Sequence, residues 1–282
     1  MSNTTSVSEQ TVELIKEKAK LSRLGTIRLI SLAKSGHYGS SFSSSEIFST
    51  LYYHVMNYDV NNPQWEDRDR FVMGKGHSAV GMYPILADVG FFPQEELETY
   101  TQLGSAFGDH PDMNKIKGID FSSGSIGHGL SVGVGMSLGA RVDSKDYRTF
   151  ILMGDGELHE GQVWEAAMSA GNKKLGNLVA IVDNNKVTVD GNTSELMNVE
   201  PIKDKWESFG WNVVEVDGHD VEALVNVFDN LPPADSDTPT AIICDTVAGK
   251  GVSFMEHGYE WHVANLGEGD ITRAIQEIEG SN

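Results

Sequence analysis

The sequence predicts an α/β fold, a doubly wound and mainly parallel sheet flanked by helices, on three observations. Short unbroken apolar runs at residues 149–153, 178–182 and 240–245 have the length and composition of strands buried on both faces. Segments with helical apolar spacing alternate with those runs. Residues 149–185 also form a complete strand–helix–strand unit, and both strands lead into oxygen-bearing side chains, Asp155 and Asn185. In an open parallel sheet, ligands bind beyond the carboxyl ends of the strands.

Along the chain, residues 11–35 carry Leu14, Ile15, Leu21, Leu24, Ile27 and Leu29 at helical spacing, with Gly36 as the stop. Residues 43–53 predict a second helix. Residues 70–73 are a short strand that runs into Gly-Lys-Gly-His, and 77–89 are helical. Residues 93–103 predict another short helix, with Pro93 near its start. The glycine-rich helix 127–142 suits burial at a tight packing surface. Then come strand 149–153, helix 160–175 and strand 178–182, followed by a helix near 201–209, strand 212–216, helix 221–231, strand 240–245 and helix 270–279. Residues 231–239 (LPPADSDTP) read as a surface loop and residues 1–9 as a flexible tail. The chain, 1–282, reads as one domain without internal repeats.

Composition narrows the function. A net charge of −20 argues against nucleic acid or an anionic membrane as partner, because no excess of Lys and Arg exists to neutralise phosphates. It leaves room for a phosphorylated ligand, which needs only a local site. The single cysteine, Cys244, lies in an apolar run and reads as a small core residue; one cysteine allows neither an internal disulfide nor a thiolate metal cluster. The N-terminal residues have no apolar signal core, and no stretch approaches 18 uninterrupted apolar residues. A soluble, cytoplasmic protein is expected.

The strand–helix–strand unit carries the chemistry. Asp155 and Asn185 can meet at one sheet edge although 30 positions (155 to 185) separate them. An Asp carboxylate, an Asn carbonyl and a nearby main-chain carbonyl are hard oxygen ligands that suit Mg²⁺, with Ca²⁺ as a substitute. Gly154 and Gly156 let the backbone approach a diphosphate without a Cβ in the way. Gly-Asp-Gly followed by Asn184-Asn185, with EGQVWEAA and NNKVTVDGNT around them, resembles the thiamine-diphosphate motif of the transketolase family. The resemblance runs from about residue 10 to residue 279. It implies a thiamine-diphosphate-binding fold, thiamine diphosphate as cofactor and Asp155, Asn185 and the Val187 carbonyl as metal ligands. It also implies cofactor contacts from Gly124, Ile126, Gly156, Glu157, Asn185 and Val189, with Ile126 as an apolar wedge against the aminopyrimidine. Glu160 matches a residue of the subunit contact. Lys75, Lys186 and Lys250 read as solvated or supporting charges.

Five of the nine histidines fall in loops expected near the strand ends: His37, His77, His110, His128 and His262. Imidazole donates to phosphate or alkoxide oxygens and moves protons near neutral pH. By the resemblance, His37 faces the reacting carbonyl, His77 lies between diphosphate and substrate, His110 binds the donor's oxygens and His262 bonds the diphosphate. His128 stands where many members have Gln, as an aminopyrimidine neighbour or a packing residue. The sequence departs from the family pattern at Tyr38-Gly39-Ser40-Ser41 and at Val263, next to two of these histidines. Both departures are expected to border the substrate channel and to bear on which sugar is used.

The chain ends after one domain, whereas thiamine chemistry needs a glutamate on a pyrimidine-binding domain to activate the cofactor. The expectation is therefore the N-terminal subunit of a split transketolase, paired with a C-terminal subunit in an α₂β₂ assembly. Such an enzyme transfers a two-carbon ketol unit from a ketose, phosphorylated or sulfonated, to an aldose. The alternative is the α subunit of a thiamine-dependent 2-oxoacid dehydrogenase, which lacks this histidine set.

Overall fold

The computed structural model describes residues 7–280. Five strands, β1 (Arg70–Met73), β2 (Thr149–Gly154), β3 (Leu178–Asn184), β4 (Asn212–Asp217) and β5 (Thr240–Asp245), form one sheet in the order β1-β2-β3-β5-β4. Every neighbouring pair is parallel. The apolar runs read from the sequence are β2, β3 and β5, the three inner strands. Their side chains alternate between two cores, as a period of two requires. Phe150, Leu152, Val179, Ile181 and Ile242 face one; Ile151, Met153, Ala180, Val182 and Ile243 face the other.

Helices α1 (Glu9–Ala33), α2 (Tyr38–Ser43), α3 (Ser45–Thr50), α4 (Ala79–Val89), α9 (Val221–Asp229) and α10 (Glu268–Gly280) cover the first face. The second is covered by α5 (Gly129–Val142), α6 (Gly161–Asn172) and α8 (Ile202–Ser208), while α7 (Thr193–Leu196) is a single turn beside the β3 end. Helix α5 lies unusually close to the sheet. A Cβ on Gly133 would stand 2.3 Å from Ile151 Cδ1, so only glycine permits that approach.

Several boundaries differ from the sequence reading. Helix α1 begins at Glu9, capped by the Ser8 side chain, and residues 1–6 of the expected tail lie outside the described residues. It ends at Ala33 with Lys34 as a left-handed cap (φ 64°), so Gly36, read as the stop, lies beyond the helix and pairs with Ala264. The second helix starts earlier and breaks at Ser44, because buried serines satisfy themselves on the preceding turn: Ser41 Oγ donates to His37 O (2.7 Å) and Ser45 Oγ to Ser41 O (3.1 Å). Residues 93–103 form only 3₁₀ turns over Gln94–Thr99, since Thr101 (φ 58°) and Gly104 (φ 86°) turn the chain away. Residues 231–239 are a connecting loop. No helix among the described residues is long and apolar enough to cross a membrane.

Candidate active site

The carboxyl ends of β1, β2 and β3 converge on a cavity of about 460 Å³. It is lined by a cluster of four histidines, His37, His77, His110 and His262, and by Asp155, Gly156, Glu157, Asn185, Val187 and Val189, with Ile126 also on its wall. Each histidine arrives by a different route. His77 follows β1 in a 3₁₀ turn, and His37 is the residue before α2. His262 is brought beside it by the bridge between Gly36 and Ala264, whose amides and carbonyls exchange bonds of 3.0 and 3.1 Å. His110 sits in the loop before α5, next to Gly124. The ring centroids of His37 lie 4.9 Å from His77, 5.5 Å from His262 and 6.5 Å from His110. His77 and His262 are 5.3 Å apart.

Burial, aided by the neighbouring His37, lowers the His262 imidazole to about 4, and burial pushes His77 well below its ordinary range. Both are therefore neutral at pH 7, each with one N–H and one lone pair.

The floor holds the acids. Asp155 follows β2, is 1 % exposed and accepts from Thr193 Oγ1 at 3.0 Å. Burial, with the nearby Asp183 carboxylate, pushes its carboxyl up to about 7. Asn185 Oδ1 accepts from Val187 N (3.0 Å), and its amide donates to Ser43 Oγ (3.1 Å) and Asp183 Oδ2 (3.0 Å). A buried carboxylate raised this far, on a cavity wall shared with Asn185 and Val187, fits a hard divalent cation that would restore its ionisation. Gly156 also lines the cavity, and a side chain there would crowd Thr188, since a Cβ would meet Thr188 Cγ2 at 2.8 Å. Among the described residues, no group of three or more His, Cys, Asp or Glu could hold a metal, so further ligands would have to come from the diphosphate and water.

Several sequence expectations change here. Of the two roles expected for Lys75, it takes the supporting one: it is 1 % exposed, ion-paired with Asp183 and bonded to Ser40 O at 2.9 Å. Asp183 is the hub of this edge. It receives Ser43 Oγ (2.6 Å), Asn185 Nδ2 and Thr246 Oγ1 as well as Lys75. Burial opposes its ionisation, but Lys75 outweighs it and holds the carboxyl below its usual range. Glu157 lines the cavity, yet its carboxyl is 2 % exposed and accepts from Gly127 N at 2.8 Å, so it braces the Gly127 turn. His128 is exposed, bonded to Ile126 O and Gln162, and lies off the cavity wall. Of the stretch 38–41, Ser40 lines the cavity while Tyr38 points into the core at 0 % exposure, against Phe42; Val263 is exposed and off the wall. Val189 is 60 % exposed at the rim. Lys186 pairs with Asp245 at the surface.

The sequence reading missed Asp109, Thr193, His159 and the Asp183 hub. Asp109 adjoins His110 in the sequence, but nothing in that spacing shows that its carboxylate reaches His37. Thr193 and His159 reach the site only through the fold of α7 and of the turn after Asp155.

Residues 15–281 match the family described as "Transketolase, thiamine diphosphate binding domain". The chain is 39% identical over 273 residues to the "6-deoxy-6-sulfo-D-fructose transketolase subunit SqwG" of Clostridium sp. (strain MSTE9), covering 97% of this chain and 98% of the relative. It is 40% identical over 269 residues to an apulose-4-phosphate transketolase subunit of Phocaeicola vulgatus, covering 95% and 94%. A crystal structure of a Pichia stipitis transketolase with sedoheptulose 7-phosphate superposes with a TM-score of 0.89 at 29% identity. That match covers 94% of this chain but 41% of the other, and human transketolase is likewise spanned over only 43% of its length.

Proposed function

We propose, on the premise that this chain belongs to the transketolase thiamine-diphosphate-binding family, that it is one subunit of a two-chain enzyme that transfers a two-carbon ketol unit. The observation that carries the reading is the cluster of four imidazoles that shares one cavity with Asp155 and Asn185. Relatives that match over nearly their whole length are named as transketolase subunits, which supports a partner chain and disfavours the 2-oxoacid dehydrogenase reading. The partner would supply the pyrimidine-binding domain, in an α₂β₂ assembly.

Asp155, Asn185 and the Val187 carbonyl would hold Mg²⁺, and Gly124, Ile126, Gly156, Glu157, Val189, His77 and His262 would surround thiamine diphosphate. When bound, the cofactor supplies a nucleophilic carbon able to take up a ketol unit. The chain's own residues bind, orient and move protons. His110, the most exposed of the four, holds the donor's oxygens at the mouth. His37 and His77 hold or deliver a proton at the substrate hydroxyl, as imidazoles can. His262 donates to the diphosphate. The two relatives are named for a sulfonated and a phosphorylated ketose, so the substrate read here is a ketose with a terminal anionic group.

The test is a donor screen on the reconstituted pair, with phosphorylated, sulfonated and branched ketoses and a common aldose acceptor. Ketol transfer from at least one donor, dependent on thiamine diphosphate and Mg²⁺, is expected. Oxidative decarboxylation of a 2-oxoacid, or no transfer from any ketose, overturns the reading.

A further inference from the structure

We propose that Asp109 is a positioning residue for the ketol-transfer reaction: its carboxylate, braced from behind by Tyr100, fixes the orientation and tautomer of His37 and steers His110 beside it. This rests on the functional reading above, in which His37 and His110 work on the substrate. Asp109 Oδ1 lies 3.3 Å from His37 Nδ1, and Tyr100 Oη donates to the same oxygen at 3.3 Å. Its other oxygen, Oδ2, stands 3.8 Å from His110 Nδ1. One carboxylate thus reaches two imidazoles that face the cavity while itself lying off the cavity wall.

The carboxylate is held from behind by an aromatic platform. Tyr83 Oη donates to Gly108 O (3.0 Å), Tyr83 packs against Tyr100 and Phe107, and Phe107 packs against Phe92. Tyr100, Phe107 and Phe92 are buried, so the loop bearing Asp109 has a fixed backing. Burial opposes ionisation of Asp109, but the bond from His37 outweighs it, and the carboxyl sits below its usual range.

An ionised carboxylate only accepts, so His37 Nδ1 must carry the proton. With the proton fixed on Nδ1, Nε2 is the nitrogen left for proton exchange with the substrate. Its ring neighbours, His77, His110 and His262, are themselves imidazoles, none of which fixes a single tautomer.

The experiment uses the reconstituted two-chain enzyme with ¹⁵N-histidine in this chain alone. Wild type is compared with Asp109→Ala, Asp109→Asn and Tyr100→Phe, and the His37 resonances are identified by their loss in His37→Gln. Wild type should show a single Nδ1–H tautomer of His37, and Asp109→Ala a mixture. Turnover of Asp109→Ala should fall on the order of 10²-fold with KM within about threefold, the size expected when a proton-transfer group loses its alignment. Asp109→Asn keeps an acceptor oxygen and should fall about tenfold; Tyr100→Phe, which leaves the carboxylate in place, should fall less and cover the case in which Asp109→Ala does not fold. An unchanged His37 tautomer in a folded Asp109→Ala, or turnover within about twofold of wild type, overturns the assignment. If the wild-type pair transfers no ketol unit, the functional reading fails instead, and the tautomer measurement still decides whether Asp109 orients His37.

Discussion

Asp155 costs the cation-free protein stability, and an Asn in its place should make that form more robust. The carboxyl is 1 % exposed and raised from 3.8 to about 7. A carboxyl with a raised folded pKa binds more protons folded than unfolded between roughly pH 4 and pH 7. Stability therefore falls as pH rises through that window, and the full penalty is present above it. The shift, 7 − 3.8, is about 3 units, or about 4 kcal/mol at 1.36 kcal/mol per unit. Water entry and relaxation reduce this, and about 2–4 kcal/mol is the working figure. Asp155→Asn is uncharged at every pH and keeps an oxygen to accept from Thr193. Glu157 is raised to about 7 as well, but it is present in both proteins and cancels in the difference. At pH 8 with a chelator, the variant should melt on the order of 5–10 °C above wild type, and the gap should close near pH 4. Adding Mg²⁺ and thiamine diphosphate at pH 8 should reverse the ranking, because only wild type gains from the ligands. Calorimetric scans at both pH values, with and without ligands, check this. A variant that melts at or below wild type at pH 8 without ligand, or that gains as much from Mg²⁺ and cofactor, refutes the reasoning.

The remaining predictions concern the assembly, the mouth and the frame. The purified chain alone should show no ketol transfer at any cofactor concentration, and titrating the partner chain should restore activity up to equal stoichiometry; robust turnover by a partner-free preparation would refute the two-chain reading. His110→Ala should slow ketose cleavage by about 10²-fold, as for loss of a positioned proton or oxyanion partner, and single-turnover kinetics with each donor would show it. Glu46 is buried between Arg23 Nη2 (2.6 Å) and His219 Nδ1 (3.0 Å); burial opposes its ionisation but Arg23 and His219 outweigh it and bring it to about 2. Glu46→Ala should cost about 3–5 kcal/mol by stranding Arg23, measured by urea unfolding at pH 7. In wild type this pair's contribution should persist down to about pH 4.5 and fade as pH drops toward 2.

Much of this was legible because periodicity and strand-end chemistry are local. The apolar runs of β2, β3 and β5 announce strands buried on both faces, and the parallel arrangement follows from the helices between them. Asp155 and Asn185 were then brought together by topology alone, since parallel strands end at one edge. What stayed hidden depends on side-chain direction within elements whose boundaries the sequence misplaces. With α2 beginning at Tyr38, that residue turns into the core, although the resemblance had placed its stretch at the channel. Lys75 looked like a loop charge, because its partner Asp183 is 108 positions away and only β3 pairing places the two together.

The same logic separates frame from function at this edge. Lys75, Ser43, Thr246 and Asn185 all converge on Asp183, so the negative charge there is matched and its carboxyl lies low. Asp155 has a hydroxyl from Thr193 and, among the described residues, no ion-pair partner, and its carboxyl lies high. Two aspartates at the ends of adjacent strands thus have opposite environments. A buried acid that is fully paired stabilises an arrangement, whereas one left short of positive charge is built to receive it from a ligand. The unpaired one lines the cavity with four imidazoles, which is where a cation and a diphosphate would be needed.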